Sequence, residues 1–176
     1  IPQLHNAPLS HKPLPRHRWF NDRVTPFSAS APSPRARAAA LDLGAFVTAA
    51  PSSFHAAREA ARRLEAAGFT ELHETTSWGS ADAAGNRYVL RDGSIIAWSA
   101  PEGADAASPF RIVGSHTDSP ALKLKPNPQL GAEGLAQVGV EIYGGPLLNS
   151  WLDRELRMAG RLALTDGSTV LVDTPG

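Results

Sequence analysis

Residues 36–49 are rich in alanine, with Leu41, Leu43, Phe46 and Val47 available for one apolar face. That spacing predicts a helix ending before Pro51, because the residue ahead of a proline is pushed out of the helical region. Ser52 or Ser53 then supplies a side-chain cap for a second helix, in which Ala57, Ala60, Ala61, Leu64 and Ala67 follow the helical period. Gly68 stands where a left-handed terminating residue is wanted. Beyond it the period changes to two. Residues 88–91 and 94–98 flank Asp92-Gly93, a pair that readily takes positive φ, and so predict a tight hairpin. Arg111-Ile112-Val113-Gly114 is an apolar run of the length of a buried strand, and it ends abruptly in polar residues. Residues 137–143 alternate as a strand broken by Gly144-Gly145-Pro146, and residues 161–164 and 169–172 flank Asp166-Gly167 as a second hairpin. His55, near a helix start among alanines, reads as a packed, hydrogen-bonded histidine, and His73 as a surface strand residue. Helices first and many short strands afterwards imply an α/β or α+β layered fold.

Composition changes this picture at the amino end. Seven of the 15 prolines fall within the first 34 residues, among Ser, Ala, Arg and the histidines His5, His11 and His17, with no apolar period to drive burial. Residues 1–34 are therefore expected to form an irregular or disordered Pro/Arg-rich extension. An organelle transit segment shares the Arg-rich, acid-poor composition but needs an amphipathic helix, which this proline density opposes. The net charge of zero conceals an asymmetry: residues 1–40 carry six Lys/Arg and a single acid, Asp22, so the remainder is mildly acidic. Nothing in this balance advertises nucleic acid or a membrane surface as a partner, and no apolar run approaches the roughly 18 to 20 residues of a spanning helix. The absence of cysteine removes disulfides, thiolate metal sites and cysteine nucleophiles together, so a metal would have to be held by His, Asp or Glu. The single methionine is Met158 and residue 1 is Ile, as expected of a chain that is processed, trimmed or given in part.

The stretch richest in chemistry is Gly114-Ser115-His116-Thr117-Asp118-Ser119-Pro120, at the end of the predicted buried strand. Strand ends are where open α/β sheets collect ligands. In extended chain, positions i and i+2 point to one side, so His116 and Asp118 can converge. That suits a metal site in which a neutral imidazole binds the cation and the carboxylate orients the ring. The spacing equally allows a turn whose side chains bond the backbone. A serine nucleophile, Ser115 or Ser119 with His116 and Asp118, is a further arrangement, although triads are assembled from separate segments.

Ile112-Val113-Gly114-Ser115-His116-Thr117-Asp118-Ser119-Pro120, then Leu122-Lys123-Leu124-Lys125-Pro126, Gln137-Val138-Gly139-Val140-Glu141-Ile142-Tyr143-Gly144-Gly145, Ser150-Trp151-Leu152-Asp153-Arg154-Glu155-Leu156 and Ala159-Gly160-Arg161 together resemble the M18 aminopeptidases, the aspartyl aminopeptidase family. Pro51-Ser52-Ser53-Phe54-His55 resembles the family's amino-terminal motif. The resemblance covers residues 40 to 174 and implies a dizinc exopeptidase. By motif, His116 would be a zinc ligand and Asp118 would steer its imidazole. Family members are far longer, and their other ligands, a bridging Asp, a Glu pair with the general base, a further Asp and a second His, would lie beyond residue 176. Glu133, Glu141, Asp153, Glu155, Asp166 and Asp173 do not stand in those contexts.

The resemblance thus implies an α/β fold: a truncated zinc-exopeptidase core, helices on a mixed sheet, entering an inserted β-rich dimerisation domain. Residues 35–119 would be the amino-terminal part of the catalytic domain and residues 120–176 the start of the inserted one. Trp151 would pack at a core or interface, with Asp153 and Arg154 forming an ion pair or capping strands. The implied activity is removal of an amino-terminal residue, acidic residues being the family's best-known preference, by an enzyme using two Zn²⁺, of which this chain supplies one expected ligand. The chain alone is expected to be inactive and, with an open sheet edge and an uncovered face, to aggregate or fold in part. Implied partners are a peptide substrate and further copies of the full-length parent, in the cytoplasm, or in an organelle if residues 1–34 are a transit segment. Two other classes stay open: a structural fragment contributing oligomer contacts, and a metal-independent hydrolase.

Overall fold

A computed structural model describes residues 31–105 and 107–174. The histidines of the extension, and its predicted irregularity up to residue 30, lie outside the described residues. The first helix, α1 (Pro34–Ala49), starts earlier than the pattern predicts. Ser33 accepts a hydrogen bond from the Ala36 amide, and Pro34 enters the first turn, where a missing N–H costs nothing. Of its four apolar candidates Phe46 alone is half-buried, while Leu41, Leu43 and Val47 face solvent. The helix is held by polar contacts instead. Arg63 grips the Asp42 carboxylate with Nη1 at 2.9 Å from both oxygens and lies over the Phe46 ring at 5.2 Å.

The second helix, α2 (Ser53–Ala66), follows the sequence closely. Ser52 is its amino cap, and Gly68 ends it at φ +86°. Behind it runs a mixed sheet of β1 (Thr70–Glu71), β2 (Gly85–Arg91) and β3 (Ser94–Ala100), with β1 parallel and β3 antiparallel to β2. A short helix, α3 (Ser80–Ala83), lies between β1 and β2. Among the described residues the core is small: Ala56, Ala57 and Ala61 of α2 against Tyr88 and Val89 of β2. Alanines on the facing stripe let the helix sit close to the sheet, and Tyr88 fills the space. Its hydroxyl donates to Glu65 at 2.5 Å and lies 3.3 Å from Glu71. Burial, then the bond to Glu65, pushes the phenol well above its ordinary range. His73 is an exposed loop residue beyond β1, not a strand residue, because the β1–β2 pairing ends at Glu71.

Two further hairpins follow. β4 (Ala121–Ala132) pairs with β5 (Leu135–Tyr143), joined by Glu133 and Gly134, both at positive φ. The expected strand 137–143 is the body of β5, whereas the alternation does not single out β4, whose Pro126 and Pro128 read against a strand. The ladder accommodates them by slipping: Leu124 pairs with Val140 and Gln129 with Val138, so residues 125–128 bulge opposite Gly139. β6 (Ala159–Ala163) and β7 (Thr169–Asp173) form the last hairpin, with Gly167 at φ +84°.

The expectation of a buried strand at residues 111–114 fails. Residues 111–114 form no strand, and Phe110, Ile112 and Val113 are 87%, 87% and 97% exposed. Apolar character specifies a demand for burial but not a partner, and among the described residues no neighbouring strand offers this run its N–H and C=O groups.

The connection that organises these pieces is the β2–β3 turn. A Cβ on Gly93 would lie 2.7 Å from Ser53 Oγ and 3.3 Å from the Ser53 carbonyl carbon, so the turn sits directly on the start of α2. Asp92 pairs with Arg161 of β6, and the Arg161 guanidinium lies 4.6 Å over the Phe54 ring. Gly93→Ala is expected to destabilise the fold by about 1–3 kcal/mol, since the new methyl would clash with Ser53 Oγ and press on the Ser53 backbone; thermal or urea unfolding measures it.

Glu59 accepts from Arg62 and Arg63, which hold its carboxyl down from 4.5 to about 2. A lowered native pKa stabilises above the ordinary value, and the gain is lost as pH falls towards 2. The urea midpoint is therefore expected to drop between pH 4.5 and 2, and Glu59→Gln to flatten that part of the profile.

Candidate functional site

The segment carrying His116 leaves the core fold as an extended loop and is fastened at Thr117. The Thr117 hydroxyl donates to the Gly93 carbonyl at 2.6 Å, and Thr117 is half-buried between exposed His116 and half-buried Asp118. The turn that seats α2 therefore also places this loop. The three residues line an open cleft of about 520 Å³ with Ser53 and Phe54 of α2, Gly93 to Ile95 and Tyr143. His116 thus borders a crevice and is not packed in hydrocarbon.

The predicted convergence of His116 and Asp118 is present, by a route different from the one spacing suggests. His116 Nδ1 lies 2.6 Å from the Asp118 backbone carbonyl oxygen and 3.7 Å from Asp118 Oδ1. A carbonyl oxygen only accepts, so Nδ1 carries the proton and the neutral ring keeps its lone pair on Nε2. This is the tautomer a metal-binding imidazole adopts when its other nitrogen is held by a backbone carbonyl or carboxylate.

Asp118 has a second partner that sequence reasoning did not assign to the site. The Tyr143 hydroxyl donates to Asp118 Oδ2 at 2.5 Å. That bond holds the Asp118 carboxyl below the usual carboxylate range and raises the Tyr143 phenol. The signal available in sequence was Tyr143 at a strand end beside Gly144-Gly145, 25 residues from Asp118; pairing register alone could have brought them together.

The other candidates stand apart. Among the described residues, neither Ser115 nor Ser119 bonds to His116, so the serine arrangement is not assembled. His55 is half-buried and bonded through Nδ1 to Ser52 Oγ at 2.8 Å, as a packed histidine should be. Trp151 is half-buried behind a 3-10 turn, Leu148–Ser150, and donates its amide to Leu148. Asp153 and Arg154 form no ion pair: Asp153 sits at φ +53°, and Arg154 Nη1 reaches back to the Ser150 carbonyl at 3.2 Å, a shorter route than folding round to its neighbour. Among the described residues no three His, Asp or Glu side chains converge on a point that could hold a metal ion. The donor chemistry at His116 therefore fits one ligand of a metal centre.

Comparison with known proteins shows the family. Residues 46–174 match the family described as Aminopeptidase I zinc metalloprotease (M18). The chain belongs to this family. It is 58% identical over 144 residues to a probable M18 family aminopeptidase 2 of Streptomyces coelicolor, covering 82% of this chain and 33% of that one. It is similar to the mApe1 dodecamer of S. cerevisiae at 30% identity and TM-score 0.69, over 77% of this chain and 33% of the other. It is also similar to an M18 aminopeptidase of Thermotoga maritima at 26% identity and TM-score 0.66, over 78% and 30%. The chain spans about a third of the length of the curated relatives it matches.

Thr117→Val, which removes the bond to Gly93 while keeping the branched shape, is expected to cost about 1 kcal/mol, read from urea unfolding. Amide exchange at residues 115–119 is expected to rise.

Proposed function

We propose that this chain is the amino-terminal part of a dizinc metalloaminopeptidase that removes the amino-terminal residue, acidic residues by preference, from peptides. The observation that carries the proposal is the His116 tautomer: Nδ1 is committed to the Asp118 carbonyl, which frees Nε2 beside an open cleft of about 520 Å³. His116 would hold one zinc and the Asp118 carboxylate would orient the ring. When bound, a zinc pair polarises the scissile carbonyl and brings the pKa of water towards about 7. The remaining ligands would come from polypeptide outside these 176 residues, so the chain alone is expected to be inactive.

The exposed apolar side chains of β4 and β5, among them Leu130, Leu135, Val138 and Ile142, support a role for residues 120–176 in oligomer contacts. The dodecameric relative supports the same reading, with Trp151, Asp153 and Arg154 as structural residues of that region. The parent would work in the cytoplasm, or in an organelle if residues 1–34 are a transit segment.

His116→Ala in the full-length parent is expected to lower zinc content and to reduce turnover of an acidic aminoacyl anilide by at least about a hundredfold, the upper end of what even outer-shell support is worth. Unchanged turnover would remove His116 from the mechanism. Activity that survives a strong chelator would point instead to a metal-independent hydrolase. The 176-residue chain is expected to hydrolyse nothing in the same assay.

A further inference from the structure

Tyr143 ends β5 in register with Ala121, the first residue of β4. The next residue, Gly144, has φ +73°, and a Cβ there would lie 3.3 Å from Pro120 Cα. The backbone on both sides of Tyr143 is thus clamped to the segment leaving Asp118, by a ladder pair on one side and a glycine contact on the other. On this fixed platform the phenol reaches back to Asp118, while Lys123 Nζ sits 5.7 Å from its ring centroid.

The two carboxylate oxygens of Asp118 are therefore distinguished. Oδ2 accepts from Tyr143, and Oδ1 is the oxygen facing His116 Nδ1, at 3.7 Å. A half-exposed carboxylate with free torsions would otherwise exchange its oxygens and swing away from the imidazole.

We propose that Tyr143 is a positioning residue: its hydroxyl holds Asp118 through Oδ2, and with it the Asp118 carbonyl that accepts from His116 Nδ1, which keeps the ring in the tautomer that leaves Nε2 free for a divalent cation. The inference rests on the reading of His116 as a metal ligand. It adds that the β4–β5 hairpin, which carries no ligand itself, sets the orientation of that ligand through one phenol.

Two measurements on the metal-free full-length parent, 15N-labelled at histidine, test it at a pH where imidazoles are neutral. The first, long-range proton–nitrogen spectra of the His116 ring, needs no metal. Wild type is expected to show the Nδ1–H tautomer. Tyr143→Phe keeps the ring over Lys123, and is expected to raise the Nε2–H to Nδ1–H ratio about threefold or more, as loss of one net hydrogen-bond contribution would give. His55 and His73 should keep their shifts. A clamp that merely fastens the hairpin would lower the melting temperature and leave the His116 ratio unchanged, and that result overturns the proposal. Should Tyr143→Phe not fold, Asp118→Ala replaces it: it removes the acceptor of the same bond and is expected to move the same ratio, and a folded Asp118→Ala variant with an unchanged ratio also overturns it.

The second measurement is broadening of the His116 ring signals by Co²⁺. Tyr143→Phe is expected to need about tenfold more Co²⁺ than wild type, the lower end of an outer-shell effect. Wild-type signals that ignore Co²⁺ would sink the ligand reading, whereas wild-type and Tyr143→Phe signals that broaden equally would sink the role of Tyr143.

Discussion

The close contact of Gly93 with Ser53 is the constraint on which the rest of the molecule depends. A side chain there would press on the Ser53 hydroxyl at 2.7 Å and on its backbone at 3.3 Å, so glycine lets the turn lie against the first turn of α2. Because the turn lies that close, its other groups meet elements distant in sequence: the Gly93 carbonyl takes the Thr117 hydroxyl, and Asp92 takes Arg161. One hairpin turn thus positions a helix start, the loop with the candidate ligand and the last hairpin. A core of three alanines, a valine and a tyrosine is too small to align these pieces by hydrophobic packing. Directed polar contacts do it instead.

The site is built from the same economy. His116 and Asp118 are exposed or half-exposed, so their geometry comes from hydrogen bonds: Nδ1 to a backbone carbonyl two residues on, Oδ2 to a phenol at a strand end. Each bond orients without needing a closed pocket, which suits an open cleft. Loops held by a few tethers on a rigid frame are also where ligand chemistry collects, because the frame sets position and the loop supplies the side chain.

Much of the fold was legible along the chain. Ser52, the alanine stripe and Gly68 announced α2; Asp92-Gly93 and Asp166-Gly167 announced two hairpins. These are local features, in which a cap, a period or a turn residue acts within a few positions. The errors share a cause. Ile112 and Val113 advertised burial that no described partner supplies, and β4 hid behind Pro126 and Pro128 because four of its residues bulge opposite Gly139. Pairing is a property of two segments, and a single segment carries its own demand but not its partner.

The candidate site divides along the same line. The chain by itself determined the His-Thr-Asp spacing, the resemblance it carries and the absence of thiolate ligands, because these are matters of residue identity and local extension. The tertiary structure decided which imidazole nitrogen is left with a lone pair, that Thr117 is the tether, and that Tyr143 completes the group. Each of those depends on a donor and an acceptor 24 or 25 residues apart, or on a backbone carbonyl turned by the loop, and distance in space is set by packing rather than by order along the chain.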